Sequence, residues 1–231
     1  PLTYTQKVRA LSPIAYWPIA ESSGTAMTDE SGNSRNGAYT AVTLGVTGIG
    51  DGRTAGSFDG SLSYANAYSA GFVGAFSGNE GSLSLWAKVS GSGVWTDGVF
   101  RQTIRLLVDG SNYIFIDRAG SDTNGIRFAR NGGGTTKTYI NTSLAGTLGW
   151  FNVGMTWSVS GNALKFYING AQVGTTETTI GTFSGTLPNS TTVVGAQSSS
   201  VPATIWSGSL AHVAIFSAPL SGAQMTSLAT I

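Results

Sequence analysis

The chain has 231 residues and no cysteine, with 12 basic against 11 acidic side chains, and charged residues make up only 10% of it. This balance gives no field to steer nucleic acid or anionic lipid, and the missing thiols exclude a disulfide framework and thiolate metal sites. No apolar run reaches the about 18 residues that a membrane helix needs, and the opening PLTYTQKVRA lacks the apolar core of a secretory signal, so export would draw on another segment or on lysis.

Eight Asx-Gly dipeptides, at 36, 51, 59, 97, 109, 124, 131 and 169, supply the positive-φ positions that tight turns demand, and they punctuate short apolar runs. The reading is an all-β chain with little room for helix. No Pro-rich or charge-rich linker interrupts residues 1–231, so one domain is expected over the whole length.

Ala15 to Ile19 reads as the first strand. The loop Asp29-Glu30-Ser31-Gly32-Asn33 then gathers carboxylate, hydroxyl and amide oxygens, and the turn Phe58-Asp59-Gly60 is placed to approach it across a sheet rim. Calcium takes six to eight hard oxygen ligands from irregular loops, which makes Asp29, Asn33 and Asp59 a candidate calcium site. The same residues equally suit local Asx turns and a hairpin cap.

Period-2 alternation in Ser82 to Val89 turns Leu83, Leu85, Ala87 and Val89 inward, leaving Trp86 and Lys88 on the opposite side, with Trp86 packed beneath a covering loop. In Gly93 to Arg101, a Gly-rich loop carries Trp95, the acceptor Asp97 and the donor Arg101. Asn112 and Tyr113 follow in the next turn region. An aromatic ring framed by a charged acceptor and donor suits a sugar, whose apolar face stacks while its hydroxyls bond, so these five residues form the candidate ligand site. A loop tryptophan equally serves as a plug for the end of a sandwich.

Phe151 to Trp157 reads as a half-buried strand, with Phe151, Val153, Met155 and Trp157 inward and Asn152, Gly154 and Thr156 outward. Leu164, Phe166 and Ile168 repeat the pattern before Asn169-Gly170, a type I′ turn signal. Trp206 to Phe216 is the closing strand. Ser221 and Gln224 form a capping box for about two turns of helix flanked by Ala223, Met225, Leu228 and Ala229, the one helix expected. The sole histidine, His212, lies in the closing strand without an acidic sequence neighbour and is read as structural.

The run YWPIAESSGTAMTDESGNSRNGAYT from Tyr16, the later GSFDG, and then LSLWAKV, GWFNVGMTW, LKFYINGAQVG and WSGSLAHVAIF appear in an order that resembles the laminin-G-like, concanavalin A-like lectin domains of bacterial surface and phage proteins. The resemblance implies a two-sheet antiparallel jelly-roll sandwich whose closing strand pairs near Ala15 to Ile19. It also implies a scaffold used mostly for binding, with a structural calcium near the Asp29 and Asp59 loops. VRALSPIAYWPIAESSG and TLGVTGIGDGRTAGSFDG look most like the virion-associated versions.

Three function classes follow. The first is a non-enzymatic carbohydrate-binding or adhesive module of a phage virion or cell-surface protein, whose partner is a surface glycan or polysaccharide. The second is a structural decoration or oligomerisation module, whose partners are other virion or surface proteins and for which a symmetric homo-oligomer is the default. The third is a glycoside hydrolase, since laminarinase-type enzymes share this fold. Their Glu-x-Asp-x-x-Glu strand is absent here: Asp29 and Glu30 diverge if extended, and Glu21, Glu80 and Glu177 stand alone. The expected setting is virion-associated or extracellular, with no catalytic residue, no nucleic acid and no membrane insertion.

Overall fold

The computed structural model describes residues 2–120 and 124–231. In chain order the strands are β1 (Ala15–Trp17), β2 (Ala26–Met27), β3 (Gly37–Thr40), β4 (Thr43–Thr47), β5 (Thr54–Asp59), β6 (Tyr64–Asn66), β7 (Glu80–Val89), β8 (Arg101–Asp109), β9 (Asn112–Arg118), β10 (Ile126–Gly132), β11 (Thr135–Asn141), β12 (Phe151–Ser158), β13 (Ala163–Ile168), β14 (Ala171–Glu177), β15 (Thr192–Val194) and β16 (Ser207–Phe216). The helices are α1 (Tyr4–Ala10), α2 (Ala70–Ala75) and α3 (Gly222–Leu228). One antiparallel sheet runs β14-β13-β12-β7-β16-β5-β4, with β1 paired to β16. The other runs β11-β10-β9-β8-β15-β6-β3-β2.

The sandwich core is what the alternation predicts. Leu83, Leu85, Phe151, Val153, Met155, Leu164, Phe166 and Ile168 from the first sheet meet Ile104, Leu106, Ile114, Ile116, Ile126 and Phe128 from the second. Each such side chain contributes about 1.5–3 kcal/mol by leaving water, so a one-residue slip in any strand would forfeit several at once. Pairing of β1 with β16 closes the first sheet with Ala15 opposite Ile215 and Trp17 opposite Val213. Asn169 (φ 47°) and Gly170 (φ 77°) make the tight turn between β13 and β14.

Two expectations are corrected. β12 is not half-buried: Asn152 and Thr156 are buried as well as Phe151 and Met155. The cause is a second apolar layer on the outside of the first sheet, where Tyr4 and Val8 of α1 and Met225 and Leu228 of α3 pack on Tyr16, Trp86, Tyr167 and Phe216. Trp86 therefore lies beneath helices and not a loop. Its Nε1 donates to Tyr4 Oη at 2.8 Å, and Tyr4 Oη donates to Leu228 O at 2.7 Å. Gly154 admits this layer, since a Cβ there would stand 2.4 Å from Met225 Cε.

The tail helix forms behind its Ser221–Gln224 capping box, but it is not the only helix. Thr3 and Gln6 make the same box before α1, a signal present in the sequence, and Ser69 Oγ accepts from Phe72 N to start α2. Both are short. Tertiary burial of Tyr4, Val8 and Phe72 stabilises them where propensity alone would not.

Candidate functional site

The five residues predicted to bind ligand do not form one site. Trp95 ends a single 3₁₀ turn, is only 1% exposed, and donates from Nε1 to Thr147 O at 2.9 Å, with its ring 6.0 Å from Phe151. It plugs the end of the sandwich and offers no face to a sugar. Asp97 accepts from Arg101 at 2.5 Å, and buried Arg118 stands 3.5 Å away. Burial works against the Asp97 carboxylate, yet the Arg101 bond and the Val99 N–H outweigh it and hold its pKa below the usual range. Acceptor and donor thus neutralise one another. Asn112 is buried, its Oδ1 accepting from Gly133 N and Ser184 N, and it braces a turn.

Tyr113 is the exception. Arg101 pairs with Arg118, whereas Tyr113 pairs with Leu107, six residues further along β8. That step is about 20 Å at the rise of a strand, so Tyr113 belongs to a different part of the surface from the Trp95 loop.

The predicted calcium ligands are likewise apart. Asp29 reaches the Tyr16 amide, and Tyr16 pairs with Ala214, while Asp59 pairs with Ser207 on the same strand β16. Seven residues of strand separate the two, about 20 Å or more. Both oxygens of Asp29, and Oδ1 of Asp59, are taken up by nearby donors. Asp29 accepts from Tyr16 N, Ser31 N, Ser31 Oγ and Arg35 N. Asp59 accepts through Oδ1 from the amides of Ser61, Leu62 and Ser63 and from the Ser63 hydroxyl. Burial raises the Asp59 pKa, but those bonds outweigh it and bring it down to about 2. Asn33 turns its amide donors, not its oxygen, to Pro13 O and Ile14 O at 3.1 and 3.2 Å. This donor-rich arrangement does not fit a cation; the Asx turn holds for Asp29 and the hairpin cap for Asp59, whereas Asn33 makes no Asx turn and ties its loop to Pro13 and Ile14.

His212 sits in the bulge of β16 with φ 53°, and its N–H donates to Pro18 O at 3.0 Å. Its Nδ1 meets Tyr16 Oη at 2.7 Å, and its Nε2 lies 3.2 Å from Asp51 Oδ2. The acidic neighbour missing from the sequence is thus delivered by the β4–β5 turn. Tyr16 Oη reaches on to Thr5 Oγ1 at 3.3 Å, which ties α1 to the sheet.

Among the described residues, the surface around Tyr113 gathers part-exposed aromatic and charged side chains, Tyr113, Arg105 and Arg127, over a buried layer of Gln102, Phe115, Asp117 and Asn131. On the outer face of the second sheet, three rungs cross β8, β9, β10 and β11: Gln102, Asp117, Arg127 and Ile140; then Arg105, Phe115, Ala129 and Thr138; then Leu107, Tyr113, Asn131 and Thr136. Neither α1 nor α3 packs here. The Arg127 guanidinium lies 4.8 Å from the ring centres of both Phe100 and Phe115, and Arg105 lies 5.7 Å from Phe115 on its other neighbouring strand. Tyr113 stacks beside Phe115 with ring centres 5.4 Å apart at 23°.

Asp117 anchors the lattice. Wholly buried, it takes a two-pronged bond from Arg127 at 3.0 and 2.6 Å and a third from Gln102 at 2.9 Å. Burial pushes its pKa up to about 6 against the pull of Arg127. Phe100, Arg105, Phe115, Asp117 and Arg127 were not singled out by sequence reasoning. The signal was there in the alternation of Asn112 to Arg118, where Ile114 and Ile116 point inward and set Tyr113, Phe115 and Asp117 outward.

A two-sheet antiparallel sandwich with one helix-covered face and one open aromatic and polar face defines a lectin-like class of domain. Residues 59–226 match the Concanavalin A-like lectin/glucanases superfamily, and the chain belongs to it. None of the curated proteins matches its sequence. Domain 4 of AbnA, a GH43 extracellular arabinanase from Geobacillus stearothermophilus in complex with arabinotriose, is similar with a TM-score of 0.65 and 20% identity, over 95% of this chain and 98% of that one. The ligand-binding domain of botulinum neurotoxin serotype D, in complex with N-acetylneuraminic acid, gives 0.67 and 18% over 98% of this chain and 52% of that one. The Trypanosoma rangeli sialidase in complex with the inhibitor DANA gives 0.64 and 10%, over 93% and 32%. At these identities the likeness is one of fold.

Proposed function

We propose that this chain is a carbohydrate-binding module that meets its glycan with the outer face of β8, β9 and β10. The observation that carries the reading is the cluster of part-exposed Tyr113 and Phe100 with Arg105 and Arg127 around Phe115, which is only 8% exposed and supports the others. Rings of this kind cover apolar sugar faces, and guanidinium and amide groups orient the hydroxyls. Structural neighbours in complex with arabinotriose and with N-acetylneuraminic acid lend the reading support from the same fold.

The module binds and does not cut. A retaining glycosidase needs two carboxyl groups about 5 Å apart, and Asp117 is the single carboxylate on this face among the described residues. The His212 cluster lines up Asp51, the imidazole and a phenol, but the phenol of Tyr16 is buried and turned to Thr5 of α1, where a serine nucleophile would need to face substrate. The setting we infer is extracellular or on a virion surface, where many weak copies act together. That setting rests on the sequence motifs and on the extracellular arabinanase among the neighbours.

The test is retention of a multivalent display of the domain on polysaccharide-coated surfaces, with analysis of released sugars alongside. Tyr113→Ala should weaken retention by about tenfold, the value of one stacking contact. Release of oligosaccharides would overturn the non-enzymatic claim. A second reading, a decoration or oligomerisation module, draws on Val99, Phe100 and Ile140, which are 43%, 38% and 38% exposed beside Arg127. Sedimentation showing a stable oligomer that Phe100→Ser dissociates, with no glycan retained, would favour it.

A further inference from the structure

Arg105 is unlike the other buried or half-buried arginines. Arg35, Arg53, Arg101, Arg118, Arg127 and Arg130 each donate to a protein carbonyl or carboxylate. Arg105 is half-buried against Phe115, and its Nε is out of reach of water with no acceptor among the described residues. The nearest acid, Asp117, is already bound by Arg127 and Gln102. Among the described residues, two guanidinium groups therefore face one carboxylate, an excess of one positive charge at the centre of the platform. Desolvation, partly offset by Asp117 and Tyr113, lowers the Arg105 pKa, the mark of a cation removed from water without a counter-ion.

A guanidinium carries its N–H donors in one plane, so the Nη groups of Arg105, beyond its buried Nε, match the two oxygens of a carboxylate or sulfate in a forked bond. We infer that this face selects glycans bearing an oxyanion and that Arg105 receives it, an inference that rests on the glycan-binding reading above. The ring of Tyr113, stacked beside Phe115, then packs against the sugar that carries the anion. A neutral glycan offers Arg105 single hydroxyl acceptors with no counter-charge and no forked bond, and would bind more weakly for that reason.

The experiment compares retention of the intact chain on polygalacturonate, on the same polymer methyl-esterified, on dextran sulfate and on dextran. Carboxylate recognition predicts loss on esterification, and sulfate recognition predicts retention on dextran sulfate but not on dextran. Arg105→Gln should weaken retention of the anionic polymer by about tenfold or more, while its melting temperature stays level or rises. Arg105→Lys should restore part of it. Arg9→Gln, which removes the same charge from exposed α1, should change nothing.

Equal retention of the esterified and free polymers, or of Arg105→Gln and wild type, would overturn the inference and leave the glycan reading standing. An equal loss in Arg9→Gln would reduce it to bulk charge and overturn it too. Failure to retain any polysaccharide, neutral or anionic, would sink both.

Discussion

Replacing Trp95 separates a plug from a ligand contact. The indole is 1% exposed, packs 6.0 Å from Phe151, and donates to Thr147 O at 2.9 Å. Deleting such a ring typically costs about 3–5 kcal/mol, since lost burial adds to the cavity left behind. The orphaned Thr147 carbonyl lies within the same range of effect, because water can enter at the open end of the sandwich. For a chain of this size each kcal/mol moves the melting temperature by about 2–4 °C, so Trp95→Ala should melt about 10 °C or more below wild type. Trp95→Phe keeps most of the packing and loses the hydrogen bond, about 1–2 kcal/mol. The assay is urea unfolding with thermal melts, joined to glycan retention measured well below the transition, where both proteins are folded. Retention should be unchanged per folded molecule, since the Trp95 ring faces Phe151 inside the sandwich while Phe100 of the same loop is held beside Arg127 on the outer face. An unaltered melting temperature with retention abolished would refute the plug and return the ring to the ligand.

Four further outcomes follow from the same geometry. Asp117 is raised on folding to about 6 by burial, so its contribution is fully present below the unfolded value near 4 and is lost as pH climbs through 6. Wild type should therefore lose up to about 3 kcal/mol against Asp117→Asn between pH 4 and 7, and a gap that does not change with pH would refute this. Asp59, held down to about 2, runs the other way: its advantage over Asp59→Ala is present above pH 4 and fades as pH falls through 2. Millimolar calcium should leave the melting temperatures of wild type, Asp29→Ala and Asp59→Ala where they are, and a calcium-dependent rise in wild type that Asp29→Ala abolishes would restore the metal site. Thr3→Ala removes the cap of α1 and should cost about 1 kcal/mol, and Val8→Ala about 1–3, both read by urea unfolding; no effect from either would mean that α1 does not brace the sheet.

Much of the sandwich was written locally. Period-2 runs such as Leu83–Leu85 and Phe151–Val153–Met155 determine which side of a strand is apolar, and Asn169-Gly170 determines a turn, because both depend on chain geometry a few residues wide. The all-β class was legible for that reason, while the two-sheet sandwich and its closing strand were implied by the family resemblance. What alternation does not carry is the environment of the second face. Asn152 reads as an exposed position, and only the return of α1 and α3 across the first sheet buries it. The candidate sites divide along the same line. Trp95, Asp97 and Arg101 look like a sugar site because they are close in sequence, yet docking of the loop turned the ring inward and closed the charges on each other. Asp29 and Asp59 carry the right oxygens, and the register along β16 keeps them apart. Arg105, Phe115 and Arg127 come from three strands, and residues scattered over more than twenty positions become neighbours through pairing alone. Sequence by itself determined the faces of single strands, which are set by local backbone periodicity. Only the tertiary structure decided which face stayed open and which charge was left without a partner, because burial and pairing are properties of contacts between strands.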